Sequence, residues 1–348
     1  MASMPGQVTL SDVAREAGVS LATASRALNG SANRTVGEDL RKRVQAAAAR
    51  LRYSPDGIAQ AMARGRTTSL GLVVPDIADP YYAAITAGVA EAADLAGLTL
   101  TLASTGGDAA REVEIVRQLE RQRARAVVLA GGRAGDAAAD EPVRAALESF
   151  RGIGGAVAAV GGHALGVNSV VLADRDGAAD LARALHERGY RRFAVLGGPE
   201  GNAAADDRRD GFLAALAGLG APVPTARVLS APATTRDGGH EAMSRLLATG
   251  VDDVEAVFAV TDAMAAGALA AAHTAGVRVP DDVALAGFDG VDVLQDVLPG
   301  LTTVRLPLAR IGQEVTRLAL RPAAAEAELV PLAGEVVVRG STPGIPAR

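Results

Sequence analysis

The sequence predicts an α/β protein in two parts, a three-helix head and a larger body of parallel sheets flanked by helices. Three observations carry this. Helix-capping signals recur within residues 9–51. From Ser69 onward, short apolar runs alternate with longer amphipathic stretches. The charge is also unevenly divided: residues 1–68 hold ten basic and five acidic side chains, and the remaining 280 hold 25 basic and 35 acidic. The chain as a whole carries −5. A small basic module on an acidic body nevertheless suits a polyanionic partner at one end.

The bulk properties narrow the function classes. A length of 348 residues accommodates two or three domains, and 49% hydrophobic residues exclude wholesale disorder. No apolar run approaches the ~18–20 residues of a membrane span. Met1–Asp12 has no basic stretch followed by an apolar one, so a cytoplasmic protein without membrane attachment is expected. The absence of cysteine removes disulfides, thiolate metal sites and cysteine nucleophiles, and it fits a reducing compartment. Lys42 is the sole lysine beside many arginines, which reflects a GC-rich coding bias rather than a function.

The first helix is signalled by Thr9 and Asp12, an N-cap with an acidic partner three residues on. Leu10, Val13, Ala14 and Ala17 form its inner face, and Gly18 supplies a positive-φ turn. Ser20 caps a second helix running to about Asn29. Val19, Ala24 and Leu28 face inward on it, while Leu21, Ala22, Ser25 and Arg26 lie outward. Two short helices about a glycine turn form a helix-turn-helix, whose second helix has the width to enter a DNA major groove. A third helix is expected after a capping box at Thr35 and Glu38, with Leu40, Val44, Ala48 and Leu51 as its apolar stripe. An ordinary helical hairpin away from DNA is the alternative, and the arginine surplus weighs against it.

From Thr9 to Asn29 the chain resembles the LacI/GalR family, following T-x-x-D-V-A-x-x-A-G-V-S-x-x-T-x-S-R-x-L-N with Ala24 where valine is usual. The resemblance implies that Leu21, Ala22 and Arg26 meet base edges. Arg26 can pair bidentately with guanine, and the other two can offer only apolar contact. Ser20, Thr23, Ser25 and Asn29 are placed as phosphate partners that fix register. It further implies that Tyr53–Gly65, bracketed by Pro55 and Gly65, is a hinge helix that orders in the minor groove with its dimer mate. Ile58 and Met62 would contact that groove, Met62 standing where the wedge is normally leucine. Gly57 lowers the helix propensity of the segment. The bland reading of this stretch is a plain linker.

In the body, strands are expected at Leu70–Val74, Leu98–Ala103, Ala126–Ala130, Ala156–Val160, Val170–Leu172, Phe193–Leu196, Arg227–Leu229, Ala256–Val260, Val283–Gly287 and Glu335–Val338. Helices are expected at Tyr82–Ala96, Arg111–Arg123, Ala178–Arg188, Arg209–Leu219, Gly239–Ala248, Ala263–Ala275 and Leu308–Leu320. So many strands imply two doubly wound lobes, with ligands at the carboxyl ends of strands and a cleft between. The family resemblance continues through Asp79–Tyr82, Gly197–Pro199, Arg208–Phe212, Thr261–Gly267 and Gly287–Asp289. It implies a core similar to periplasmic sugar-binding proteins, crossed three times by the chain. The expected division is 1–54 for the DNA-binding domain, 55–68 for the hinge, 69–342 for the core and 343–348 for a tail. Within the core, lobe one takes about 69–168 and 300–326, and lobe two about 169–299 and 327–342.

Candidate effector residues follow. Tyr81 and Tyr82 are two of nine aromatic residues, placed either to cover a sugar or purine face or to pack a helix on the core. Arg208, at a helix start, and Asp289, at a strand end, suit hydroxyl or carboxyl recognition, or form a structural ion pair. The motif adds Asp262 and Asn202. Two departures from the family stand out: no aromatic lies near Thr234, and Gly161-Gly162-His163 replaces a common Asp-Arg. No catalytic site, metal site or cofactor is expected. GxGxxG after the first strand, Walker A and G-x-S-x-G are all missing, and the four histidines have no ligand spacing. The resemblance implies a repressor that binds a pseudo-palindromic operator in double-stranded DNA as a homodimer and is released by a small-molecule effector, a carbohydrate on family grounds. The C-terminal residues hold no leucine heptad that would make tetramers. A regulator answering to a partner protein, or to no small molecule, is the alternative.

Overall fold

The computed structural model describes residues 8–29, 36–53, 66–131, 137–161, 165–321 and 326–345. It divides into two compact units, Met1–Thr67 and Thr68–Arg348.

The first unit holds α1 (Leu10–Glu16), α2 (Leu21–Asn29) and α3 (Glu38–Arg50). Thr9 and Asp12 form the expected capping box, and the Thr9 amide donates to Asp12 at 3.0 Å. That hydrogen bond, first among several, holds the Asp12 carboxyl below its usual range. Gly18 takes φ +64°. Beside it, Arg43 of α3 donates to the Ala17 carbonyl at 2.7 Å, covering an orphan acceptor at the end of α1. Val13, Ala14, Ala17, Ala24, Ala27, Val44, Ala47 and Ala48 make the small core, with Val19, Leu28 and Leu51 packed against it. The start of α3 differs from expectation. Its N-cap is Gly37 without a side-chain hydrogen bond, so Glu38 is the first helical residue and cannot close a capping box; Thr35 lies outside the described residues.

The second unit is built from strands that emerge in order as β1 (Ser69–Val74), β2 (Thr99–Ser104), β3 (Ala126–Ala130), β4 (Ala156–Val160), β5 (Asn168–Leu172), β6 (Phe193–Gly197), β7 (Val228–Ser230), β8 (Ala256–Ala259), β9 (Ala284–Ala286), β10 (Thr303–Arg305), β11 (Leu329–Leu332) and β12 (Glu335–Val337). Between them run α4 (Pro80–Leu95), α5 (Ala109–Arg121), α6 (Ala137–Gly152), α7 (Asp174–Glu187), α8 (Ala203–Gly218), α9 (Arg236–Ala248), α10 (Asp262–Thr274) and α11 (Leu308–Leu320). One sheet has the order β11-β5-β4-β3-β1-β2, a second the order β7-β6-β8-β9, and β10 pairs with β12. The two larger sheets are parallel throughout. Strands such as Ala126–Ala130 and Phe193–Gly197 are buried along their whole length, as helix-covered parallel sheets require.

The expected lobe boundaries shift. Residues 168–172 and 329–332 fall mainly in the second lobe of the expected division, but β5 pairs with β4 and β11 pairs with β5, so both extend the first sheet. The chain therefore crosses after Leu172, through the β10 region, and after Leu332. β11 escapes sequence patterning because Pro331 interrupts it, a residue that only an edge strand tolerates. α6 escapes it likewise, because Pro142 lies inside the helix.

Neighbouring helices approach closely through paired glycines. A Cβ on Gly88 of α4 would lie 2.0 Å from the Ala309 carbonyl oxygen of α11, and one on Gly312 would lie 2.2 Å from the Ile85 oxygen. The same reciprocity joins α9 and α10, where Gly239 meets the Met264 oxygen at 2.1 Å and Gly267 meets the Arg236 oxygen at 1.8 Å. Gly88→Ala should therefore push two backbones apart and lower stability by about 1–3 kcal/mol in urea denaturation. An unchanged midpoint would show that α4 and α11 can separate without loss.

Candidate functional site

In the head, α2 presents the side chains singled out above. Ser20 caps it, its hydroxyl accepting from the Thr23 amide at 3.1 Å and lying 2.8 Å from the Thr23 hydroxyl. Leu21 is 51% exposed and Ala22 is exposed, so both are available to base edges. Ser25 and Arg26 are half-buried, and Asn29 ends the helix. The Arg26 Nε donates to the Ala22 carbonyl at 2.9 Å, which folds the guanidinium along its own helix. Gly57, Ile58 and Met62 lie outside the described residues, as do Gly162 and His163.

In the body, the candidate effector residues gather where strands end. Asp79 and Tyr81 follow β1, Asp174 follows β5, Asn202 and Arg208 follow β6, Asp262 follows β8, and Asp289 follows β9. In open parallel sheets this is where ligands bind. Arg208 is at their centre and almost wholly buried. Contrary to expectation it is not at a helix start: α8 begins at Ala203, which puts Arg208 in its second turn, facing α7. Its Nε donates to Asp174 at 2.8 Å, its Nη1 donates to the Val260 carbonyl at 2.9 Å, and its guanidinium carbon lies 4.1 Å from the centre of the Phe288 ring. Burial alone would lower its pKa, but Asp174 and Asp289 together hold it above the usual arginine value.

Asp289 is the exceptional member. It is buried with φ +124°, a conformation that L-residues rarely adopt. Its Oδ1 lies 2.8 Å from Arg208 Nη1. The approach is not aligned for a hydrogen bond, so that oxygen is buried with an ionic neighbour and no donor. Burial pushes its carboxyl well above the usual range; Arg208 opposes this, and Asp262, Asp174 and Asp79 add to it.

Other candidates separate into roles. Asp262 is expected as an effector contact, but its carboxylate is fully engaged within the protein. One oxygen accepts from the amides of Gly290 and Val291 at 2.8 and 2.9 Å, and the other from the Thr303 hydroxyl at 2.8 Å. It clamps the turn that holds Asp289 and is a positioning residue. Asn202 caps α8 by accepting from the Ala205 amide at 3.1 Å. Tyr81 and Tyr82 are half-buried and meet edge to face at 4.9 Å. Burial raises the Tyr81 phenol well above its usual pKa, and the charge of Asp289 raises it further. The Thr234 methyl lies over Gly198, 2.7 Å from where a Cβ would be. Sequence reading misses Asp174 and Phe288 as site members. The Asp174-Arg-Asp176 run after a strand, and Phe288 within an already noted motif, are the available signals.

The matches to known proteins agree with this anatomy. Residues 9–56 match the bacterial regulatory proteins of the lacI family, and residues 182–342 match the periplasmic binding protein-like domain. The regulator GalR of Salmonella typhimurium is 34% identical over 312 residues, covering 90% of this chain and 88% of its own. This chain belongs to the LacI family. Catabolite control protein A of Staphylococcus xylosus is 30% identical, covering 89% of this chain and 91% of its own. Among solved structures, a CelR–cellobiose complex is 30% identical with a TM-score of 0.69, covering 96% of this chain and 99% of its own. The lac repressor dimer bound to operator and an anti-inducer is 25% identical with a TM-score of 0.81, covering 97% of this chain and 100% of its own. This LacI-family chain is thus a DNA-binding transcription regulator with a helix-turn-helix head and a periplasmic-binding-protein-like body, and its relatives are regulators rather than enzymes.

Replacing Arg208 by methionine would leave Asp174 and Asp289 buried without a cation. We expect a loss of about 3–5 kcal/mol, read from denaturant midpoints. A loss below ~1 kcal/mol would mean that water or protons relieve both carboxylates and that the arginine is not what holds them.

Proposed function

We propose that this regulator is a repressor that binds a pseudo-palindromic operator as a homodimer and is released when a sugar or sugar derivative enters the cleft between its lobes. The observation that carries the effector part is Asp289, a buried carboxylate beside Arg208 with no hydrogen-bond donor. Arg208, Asp289, Tyr81, Tyr82 and Asn202 form the effector site, with Asp262 behind them. The cellobiose held by CelR supports the ligand class, and the operator-bound dimer of the lac repressor supports the assembly. In the DNA complex, recognition helices enter major grooves ~34–36 Å apart, and Ile58 and Met62 of the 55–68 hinge meet the minor groove between them. Leu21, Ala22 and Arg26 read bases, while Ser20, Thr23, Ser25 and Asn29 hold phosphates. Effector binding changes the angle between lobes and so the spacing of the hinges.

The test begins with selection from a random duplex pool by the full-length protein at physiological salt. A two-fold-symmetric site should be enriched, and a sugar from a neutral panel should release it. Enrichment without release by any sugar would favour a partner protein as the signal. Arg26→Ala should relax preference at a single operator position; an equal loss on every sequence would make it a phosphate contact. Met62→Gly should weaken the selected site far more than random DNA, and equal losses would leave no wedge at that position.

A further inference from the structure

The head and the body differ in what holds each together. In the head, six of the eight buried core residues are alanines, beside Val13 and Val44. In the smaller core of the body only Ala124, Ala146 and Ala159 are alanines among fifteen buried residues, which include Phe150 and four leucines. An alanine removes far less apolar surface from water than a leucine or phenylalanine. The head therefore has little hydrophobic stabilisation to set against the entropy of ordering its chain. The largest fully buried side chains among the described residues, Phe150, Phe212, Phe258 and Phe288 first, all lie in the body.

The recognition helix is lightly anchored. α2 has nine residues, fewer than an isolated helix needs, and the side chains it buries fully are Ala24 and Ala27. α1 has seven residues and buries Val13 and Ala14, and α3 starts at Gly37 without a side-chain cap. Arg43 ties α3 to the Ala17 carbonyl of α1 at 2.7 Å, but the Arg50–Glu16 pair, at 3.1 Å, is exposed and adds little. With no cysteine in the chain, no disulfide compensates for so small a core. Charge works in the same direction. Residues 1–68 hold ten basic and five acidic side chains, so folding the head gathers like charge in a small volume. A polyanion relieves that repulsion and, by binding the folded form, stabilises it.

We infer that temperature is a second input to this regulator: on warming, the head melts while the body stays folded, and DNA is released without an effector. This rests on the head being the DNA-binding unit. The order of events follows from linkage. Bound DNA holds the three helices folded, and each rise in the unfolded fraction of the head is subtracted from the protein competent to bind. The body, with its larger cores of leucine, valine and phenylalanine, keeps its fold throughout.

The experiment is scanning calorimetry and far-ultraviolet circular dichroism of the full-length protein, beside anisotropy titrations of a labelled duplex at stepped temperatures. Two transitions should appear, the lower one small and at least ~10 °C below the upper. Saturating duplex should raise the lower transition and leave the upper where it is. Affinity should fall at least tenfold across the lower transition, beyond the trend set at colder temperatures, and return on cooling. Ala24→Val enlarges the head core and should raise the lower transition and the release temperature together. Gly37→Ser supplies the missing cap of α3 at a position where a Cβ meets nothing within 4 Å. It should shift both by ~2 °C or more and serves if valine overpacks the core. A single transition shared by head and body overturns the inference. So does a duplex affinity that runs through the lower transition without a break. Two transitions with no duplex bound even in the cold would instead overturn the DNA-binding role of the head, and the release with it.

Discussion

A single buried guanidinium ties together four pieces of chain at the cleft side of the second sheet. Arg208 belongs to α8, reaches Asp174 at the start of α7, holds the carbonyl of Val260 at the end of β8, and lies against Phe288 and Asp289 after β9. Such a cluster is not there for stability alone, since a buried ion pair offsets a large desolvation cost and apolar replacements often serve as well. What it fixes is geometry. Asp174, Asp289 and the Phe288 ring cannot shift independently without exposing a charge to a low-dielectric interior. Asp262 reinforces the arrangement from behind through two amides and a hydroxyl. The strain at Asp289 is therefore held by its surroundings, a pattern associated with sites that act on something else.

The rest of the body is arranged to leave that cluster room. The helices that flank the sheets approach through glycines at backbone distance, so a chain with few aromatic residues still packs tightly. Aromatic rings are accordingly concentrated where they have particular work. Phe212 and Phe258 stack at 4.4 Å within the second lobe, Phe288 covers the arginine, and the Tyr81–Tyr82 pair stands at the edge of the cleft.

Much of this is legible in the sequence, and the exceptions have physical causes. The three head helices, the Thr9–Asp12 cap and the Gly18 turn follow from local rules, because capping depends on residues three apart. The ten expected strands are all present, and most are buried parallel strands that write continuous apolar runs. β10 and β11 are not foreseeable in this way: β10 reads Thr-Val-Arg, with one apolar residue between polar ones, and β11 contains Pro331, so neither has an apolar run to read. At the candidate site, Arg208 and Asp289 stand out by motif, yet the role of Asp262 does not. An aspartate that contacts a ligand and one that clamps a turn read alike until the Gly290 and Val291 amides are seen beside it. Asp174 stays hidden because its partner is 34 residues away and on another helix.

The short ribbon between the lobes has a mechanical consequence. Three separate strands joining two bodies would permit shear, twist and bend in any mixture. Here two of the three connections are stitched together, Thr303 to Val337, Val304 to Val336 and Arg305 to Glu335. The joint then has two independent leaves instead of three, and rotation about the line through them is the motion that breaks no ladder. The stitched joint thus favours one coordinate of motion, a change of angle between the lobes, over many small rearrangements.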